Sequence, residues 1–447
     1  MNDSQKGARD RLRPVFERVG VVIRAFVGVP ARAVRGTGRR VADPARQVVD
    51  YWSSERRTMS QGFIAVTIAS LTSLLAGLAL VGMGNRIEVI EGLFVLIPVS
   101  IGMRGNIFGA LAARLGTAIL SGLFEVSRDK AGILYQNVYA SILLTIGTSV
   151  TMGLLARAMA GLLGVDTVSV WDFIVISLVG GLLSSIVVLA VTVSLSIQSF
   201  RKNWDLDAVG APLITAIGDV VTLPCLFLAS FLAQIDVVTP VVGAAAMGAG
   251  IIALYKGWTT AMTVARRIVR EAFPVLSIAI ILDVLAGTVV QPRMDEVFTP
   301  LAAFLIIIPG FLENTGALGS ILAARLGSKL HLGAMSPTAM PGPVALLDGT
   351  IVLALGLLVF ALTAVATLGV ATATGAAYPG AWTFLGVVMV GGIMATLIAA
   401  VIGYYAAVVT YRFGLNPDTH TIPIVTSGMD LLGVTCLVTA LVLFGVA

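Results

Sequence analysis

Charged residues are scarce in this sequence, and their scarcity excludes a soluble globular protein. Only 12% of the 447 residues are Asp, Glu, Lys or Arg, whereas 57% are hydrophobic and the mean hydropathy is +0.97. A soluble domain has about twice that charged fraction. Several apolar stretches reach the roughly 20 residues that a helix needs to cross a bilayer, and they lack the alternation of a transmembrane β-strand. The sequence therefore predicts an all-α polytopic protein of the cell membrane.

Cysteine and histidine are also rare, with two of each in the chain. Two cysteines inside apolar helices exclude a disulfide framework, and two isolated histidines indicate no metal cluster. The sequence contains no His-Glu-x-x-His motif, no serine-hydrolase pattern and no phosphate-binding Gly-Lys-Ser/Thr element. We therefore expect a protein that is not an enzyme and that needs no organic cofactor.

The few basic residues are concentrated at the N-terminus. Residues 1–61 contain 13 Lys or Arg against 6 Asp or Glu, while the rest of the chain is nearly balanced. This stretch has no apolar core of a signal peptide, so the positive-inside rule predicts a cytoplasmic tail. Anionic membrane lipid is its expected partner, and nucleic acid is not expected because no binding fold is recognisable.

The chain repeats itself at a constant offset of 211 residues. The matches fall on residues that membrane helices tolerate poorly, which indicates a duplicated unit without net insertions between the matched positions. Internal repeats in a hydrophobic chain are typical of transporters and channels, whose substrate path lies between the repeats. Matched pairs include Pro98 and Pro309, Gly105 and Gly316, Trp171 and Trp382, Pro212 and Pro423, Asp219 and Asp430, and Cys225 and Cys436.

Each repeat contains five apolar segments, and one unpaired segment at about 238–255 lies between them. A unit with five crossings ends on the side opposite its start, so one additional crossing returns the second unit to the orientation of the first. The sequence thus predicts about eleven helices in two parallel pseudo-symmetric repeats, with the N-terminus cytoplasmic and the C-terminus outside. The predicted domains are a basic tail (1–60), a first repeat (61–236), a linking helix with a basic loop (237–269) and a second repeat (270–447).

Asp219 and Asp430 are the paired acids of the two repeats, and each lies in an apolar helix. An ionised Asp near the middle of a bilayer costs about 2.5–3.5 kcal/mol, so such acids normally face a cavity, a partner or an ion. Two of them from parallel repeats converge near one axis, where a divalent cation relieves their repulsion. Thr215 and Thr426 lie one turn away on the same helical faces. Hard cations such as Mg²⁺ prefer oxygen ligands, and Mg²⁺ keeps several of its waters.

Three further residues are candidate cation ligands. Asn106 and Asn314 lie in the proline- and glycine-interrupted second segments, and their amide oxygens can coordinate a hard cation. Their positions do not match at the offset, because Asn106 corresponds to Ala317. Asp283 lies within an apolar segment of the second repeat only. It is a one-sided cation ligand, a proton site or a structural acid.

The motifs of the second and fifth segments carry a resemblance to a known family. With them the chain resembles the MgtE magnesium channel and transporter superfamily over about residues 60–447, including the eukaryotic solute-carrier magnesium transporters built from two such units. The motifs are Pro98…Gly102…Gly105-Asn106…Ala113-Arg114-Leu115, Pro309…Gly316…Ala324-Arg325-Leu326, Pro212…Asp219 and Pro423…Asp430.

The resemblance implies a five-helix unit that single-unit members use as a homodimer, with a Mg²⁺ pore where two units meet. It equates the pore acid of the fifth helix with Asp219 and Asp430, and it implies that this chain functions as a monomer equivalent to the homodimer. Single-unit bacterial members carry cytoplasmic gating domains. A basic stretch precedes the first repeat here, so that gating mechanism is not expected.

The leading hypothesis is a divalent-cation channel or transporter that carries Mg²⁺, with Mn²⁺, Co²⁺ or Ca²⁺ as other possible ions. The alternative is a proton- or Na⁺-coupled transporter of another solute, in which the same acids bind the coupling ion. A membrane scaffold without transport activity leaves the paired acids without a role.

Overall fold

The computed structural model describes residues 44–127, 129–202, 206–415 and 417–447, and within these ranges it is helical without β-strands. Among the described residues, ten helical stretches are long and apolar enough to cross a membrane. The apolar part of an eleventh, Ile214–Ser230, is shorter. The predicted all-α polytopic membrane fold is confirmed.

The first repeat consists of five membrane helices, the second of which is divided by a π-helical turn, and a short amphipathic helix precedes it. The elements of this part are α1 (Pro44–Ser54), α2 (Arg56–Gly82), α3 (Gly84–Val89), α4 (Leu96–Arg104), the π-helical turn (Gly105–Gly109), α5 (Ala110–Leu120), α6 (Ile133–Leu162), α7 (Val170–Lys202) and α8 (Leu206–Ser230).

The second repeat follows the single linking helix. The elements of this part are the linking helix α9 (Val238–Thr259) and then α10 (Thr263–Val290), α11 (Ala302–His331), α12 (Pro343–Thr374), α13 (Ala381–Phe413) and α14 (Ile422–Leu443).

The second membrane helix is built differently in the two repeats. In the first repeat, Pro98 occupies the first turn of α4, where its missing amide hydrogen leaves no helical bond unmade. The π-helical turn Gly105–Gly109 then separates α4 from α5. In the second repeat, α11 continues as one helix through Pro309. Because π-helical turns occur frequently at functional sites, the interruption in the first repeat points to a site there.

The two repeats exchange their first helices. Helix α2 of the first repeat packs mainly against α11 and α8, while α10 of the second repeat packs against α14, α6 and α4. Glycines permit these close crossings: a Cβ added at Gly77 would lie 1.9 Å from Ile306 O, and one added at Gly287 would lie 2.7 Å from Val95 Cα. Each repeat is therefore completed by a helix of the other.

Helix α1, the described part of the predicted tail, is tied to the second repeat. The Tyr51 hydroxyl donates to Asp348 Oδ1 at 2.7 Å, and Lys329 Nζ and Arg325 Nη2 each lie 2.6 Å from the same carboxylate. Glu55 lies 3.2 Å from Arg325 Nη2. Burial and the hydrogen bond to Asp348 raise the pKa of Tyr51 above its usual value, so the phenol remains a donor at neutral pH. Residues 1–43 of the predicted tail lie outside the described residues.

Candidate cation site

A cavity of about 550 Å³ lies between the two repeats. Its walls come from α2, α4, the π-helical turn, α5 and α8 of the first repeat and from α11 and α14 of the second. Both prolines of the interrupted segments, Pro98 and Pro309, line it. The exchange of first helices and the convergence of the second and fifth helices thus enclose one shared cavity.

The paired acids of the repeats both line this cavity. Asp219 is 1% exposed and accepts a hydrogen bond from Ser73 Oγ on α2 at 3.1 Å. Its other oxygen has no hydrogen-bond partner among the described protein atoms. Asp430 is partly accessible and is near enough to act electrostatically on Asp219. The cavity therefore holds two carboxylates, and one oxygen of Asp219 is not satisfied by the described protein.

Glu313 is a third acid in the cavity wall, and the search for matched pairs missed it as a ligand candidate. It lies on α11, half-buried, close enough to interact electrostatically with both Asp219 and Asp430. At the 211-residue offset its counterpart is Gly102. The signal in the sequence for this residue was an acidic side chain within the apolar second segment of the repeat.

Asp283 lies behind the cavity wall, in contact with the paired acid of its own repeat. It is fully buried on α10 and does not line the cavity. A Cβ added at Gly102 would lie 2.8 Å from Asp283 Oδ2 and 3.6 Å from Asp430 Oδ2. Because Gly102 has no side chain, the Asp283 carboxylate fits beside it. In the second repeat the residue equivalent to Gly102 is Glu313. Both Asp283 oxygens lack a donor hydrogen bond from the described residues.

The neutral candidates divide into those inside and those outside the cavity. Asn106, Thr215 and Thr426 line it. Thr426 Oγ1 donates to Asn106 Oδ1 at 3.3 Å, and the Asn106 amide nitrogen has no partner among the described residues. These groups add neutral oxygens beside the carboxylates.

Asn314, the other amide candidate, does not line the cavity. It is fully buried. Its amide oxygen accepts a hydrogen bond from Ser70 Oγ at 2.5 Å, and its amide nitrogen donates one to Thr363 Oγ1 at 3.0 Å. The cavity-lining residue that matches Asn106 at the offset is Ala317. Asn314 lies three residues earlier, which turns it about 60° away from that face of the helix. Asn314 therefore joins α2 to α12 instead.

The cavity is acidic, and no described lysine or arginine lines it. Within the described residues, no three His, Cys, Asp or Glu side chains are close enough together to ligate one ion directly. The wall thus offers separated carboxylate, amide and hydroxyl oxygens around open space. Such an arrangement attracts a cation and suits one that retains water in its coordination shell.

The chain is similar in sequence to members of solute carrier family 41. The chain is 24% identical over 286 residues to solute carrier family 41 member 2 of Gallus gallus, a match that covers 58% of this chain and 47% of the relative. It is 22% identical over 418 residues to solute carrier family 41 member 3 of Rattus norvegicus, covering 85% and 86% of the two chains. The match to solute carrier family 41 member 2 of Homo sapiens is 23% identical over 300 residues and covers 61% and 50%. The chain thus spans about half the length of the member 2 relatives that it matches.

No solved structure gives a significant match to this chain. The MgtE family model, described as a divalent cation transporter, matches twice, at residues 97–229 and 308–440. The two matches lie on the two repeats, each from the second helix to the fifth, and together they cover more than half of the 447 residues. The chain therefore belongs to the MgtE divalent cation transporter family, with two MgtE units in one polypeptide.

Proposed function

We propose that this protein transports a hydrated divalent cation, Mg²⁺ above all, through the cavity between its repeats. The observation that carries the proposal is the convergence of three carboxylates, Asp219, Glu313 and Asp430, in one cavity without a described lysine or arginine in its wall. Each carboxylate is costly to bury when charged. A divalent cation among them offsets that cost, which gives these acids a function that a scaffold does not.

The size and chemistry of the cavity support Mg²⁺ as the cargo. Six waters occupy about 180 Å³ at their share of liquid volume, roughly 30 Å³ each, so a fully hydrated ion fits within about 550 Å³. In this proposal Asp219 and Asp430 hold the ion, Glu313 adds negative charge, and Asn106, Thr215 and Thr426 act through its waters. Mn²⁺, Co²⁺ and Ca²⁺ share the preference for oxygen to different degrees and are the natural competitors.

A single chain is sufficient for such a path, because both walls of the cavity belong to it. We therefore propose a monomer that is equivalent to a dimer of single MgtE units. We also propose that the N-terminus is cytoplasmic and the C-terminus outside. The concentration of Lys and Arg in residues 1–61 supports this orientation.

Flux into liposomes that contain the purified protein tests the proposal. We expect entry of Mg²⁺ down its gradient, with Mn²⁺, Co²⁺ and Ca²⁺ measured in parallel and with imposed pH or Na⁺ gradients to separate a channel from a coupled carrier. Proton or Na⁺ movement without divalent flux would instead favour a coupled transporter of another solute.

Variants of the paired acids test whether the ion passes through this cavity. Asp219→Asn or Asp430→Asn should each weaken Mg²⁺ transport strongly, and the double variant should abolish it, because Asn preserves shape while removing charge. Asp236→Asn, in the exposed loop before α9, is the matched control and should transport normally. Near-normal flux in a well-folded double variant would show that the ion path lies elsewhere.

A further inference from the structure

Arg104 is a buried cation that the proposed path does not use. It is the last residue of α4, directly before the π-helical turn, and it is 1% exposed. Its guanidinium Nη1 donates to Gly181 O at 2.8 Å and also to Ser185 Oγ, both on α7. The side chain thus reaches from the interrupted second helix across to the fourth.

No described acid neutralises this guanidinium by an ion pair within 4 Å. A buried arginine without a carboxylate partner is costly, and an ionisable residue inside a membrane is most often there for function.

The fold itself does not require an arginine at this position. The equivalent residue of the second repeat is Thr315, whose hydroxyl bonds to Leu312 O of its own helix at 2.8 Å. Helix α11 runs on through that position without a π-helical turn. Arginine and the interruption of the helix therefore occur together, in the first repeat alone.

The position of Arg104 connects the elements that carry two of the candidate ligands. Asn106 follows it by two residues, within the π-helical turn, and lines the cavity, while its amide nitrogen is buried without a partner among the described residues. On α8, a Cβ added at Gly218 would lie 3.3 Å from Arg104 Cβ, and the next residue is Asp219. Arg104 itself is absent from the cavity wall, so it can act only through its neighbours.

We propose that Arg104 is a positioning residue of the cation path: anchored to α7, it fixes the π-helical turn so that Asn106 lies in the cavity wall. This inference rests on the proposed transport function. The planar guanidinium makes two directed bonds at once, which holds the end of α4 at a defined rotation. The turn begins and ends with a glycine, so neither of these residues has a side chain to hold it in place.

A double-mutant cycle on Mg²⁺ flux in liposomes tests the inference. Arg104→Thr introduces the residue of the second repeat, and we expect the KM for Mg²⁺ to rise about tenfold, as is usual when a group supporting a metal ligand is lost. The maximal rate per folded protein should change less than about twofold, because the paired acids remain. Asn106→Ala should raise KM by a similar factor.

The double variant decides between positioning and an independent role. If Arg104 acts through Asn106, Arg104→Thr with Asn106→Ala should be no worse than either single variant. If the two act independently, the factors should multiply to about a hundredfold, and the inference is overturned. Arg104→Lys, which keeps the charge but has a shorter side chain without the planar guanidinium, should recover part of the affinity.

Controls separate this role from general stability. Thr315→Val alters the equivalent position of the second repeat and should combine with Asn106→Ala multiplicatively. If Arg104→Thr does not fold, Arg104→Gln and Arg104→Lys enter the same cycle. An unchanged KM in a folded Arg104 variant would overturn the inference, whereas absence of divalent flux in the unaltered protein would instead contradict the proposed function.

Discussion

The two repeats share one scaffold but differ in the chemistry of their interiors. Behind the cavity the first repeat contains Arg104 and two buried serines, Ser149 and Ser185. The equivalent positions of the second repeat hold Thr315, Phe360 and Thr396, and the Phe360 ring packs 4.9 Å from that of Phe311. The two repeats therefore differ in the side chains that pack between their second, third and fourth helices.

The ends of the second helices differ in a similar manner. In the first repeat Arg114 Nε donates to the neutral amide of Asn137 at 2.8 Å. The equivalent Arg325 of the second repeat bonds to the carboxylate of Asp348, which also binds Lys329. The last residue of α11 that lines the cavity is Ile321, one turn before Arg325. The bond described for Arg325 thus has a charged anchor, Asp348, and the one described for Arg114 has a neutral anchor, Asn137.

The largest effect is expected from Asp348→Asn, which gives the second repeat the neutral residue of the first. Asp348 is fully buried between two cations, and breaking such a group by removing one partner costs about 4 kcal/mol. Thermal unfolding in detergent should show the loss. Asn137→Ala, which removes the neutral anchor, should cost about 1 kcal/mol; equal losses would mean that the two anchors do not differ in strength.

The aromatic interior of the second repeat provides the next test. Phe360→Ala should reduce the free energy of unfolding by about 3 kcal/mol, since it removes a fully buried ring and leaves a cavity. Ser149→Ala at the equivalent position should cost less than about 1 kcal/mol, because its hydroxyl has no partner among the described residues. A similar loss at both positions, measured by thermal unfolding, would contradict the contrast between the two interiors.

Glu313 makes the cavity itself asymmetric, because its counterpart is Gly102. Glu313→Gln should raise the KM for Mg²⁺ flux about tenfold, or about 1.4 kcal/mol, while folding is retained. The exposed Glu296→Gln serves as control. An unchanged KM would show that, of the three acids, only Asp219 and Asp430 contribute to Mg²⁺ binding.

Much of this architecture could be predicted from the sequence, because the repeat and the hydrophobic segments depend on local pattern. The pairing of Asp219 with Asp430 followed from the same offset, and both acids line the cavity. Three features could not be predicted. Glu313 has no matching acid, Asn314 lies about 60° off the cavity-facing side, and the exchange of α2 and α10 depends on contacts between distant segments. A pattern shows which helix face is polar, but it does not show which helix covers that face.

The smallest expected effect distinguishes the two threonines of the cavity. Thr426 donates to Oδ1 of Asn106, a candidate ligand from the other repeat. Thr215 lies against Gly105, where an added Cβ would be 3.3 Å from the threonine methyl group. Thr426→Val should therefore raise the KM for Mg²⁺ about threefold, the loss of one modest hydrogen bond, and Thr215→Val should change it less. The measurement is flux in matched liposomes, with Thr435→Val on the exposed face of α14 as control. If Thr215→Val had the larger effect, the contact between Thr426 and Asn106 would not contribute to ion binding, and water-mediated contacts from α8 would dominate instead.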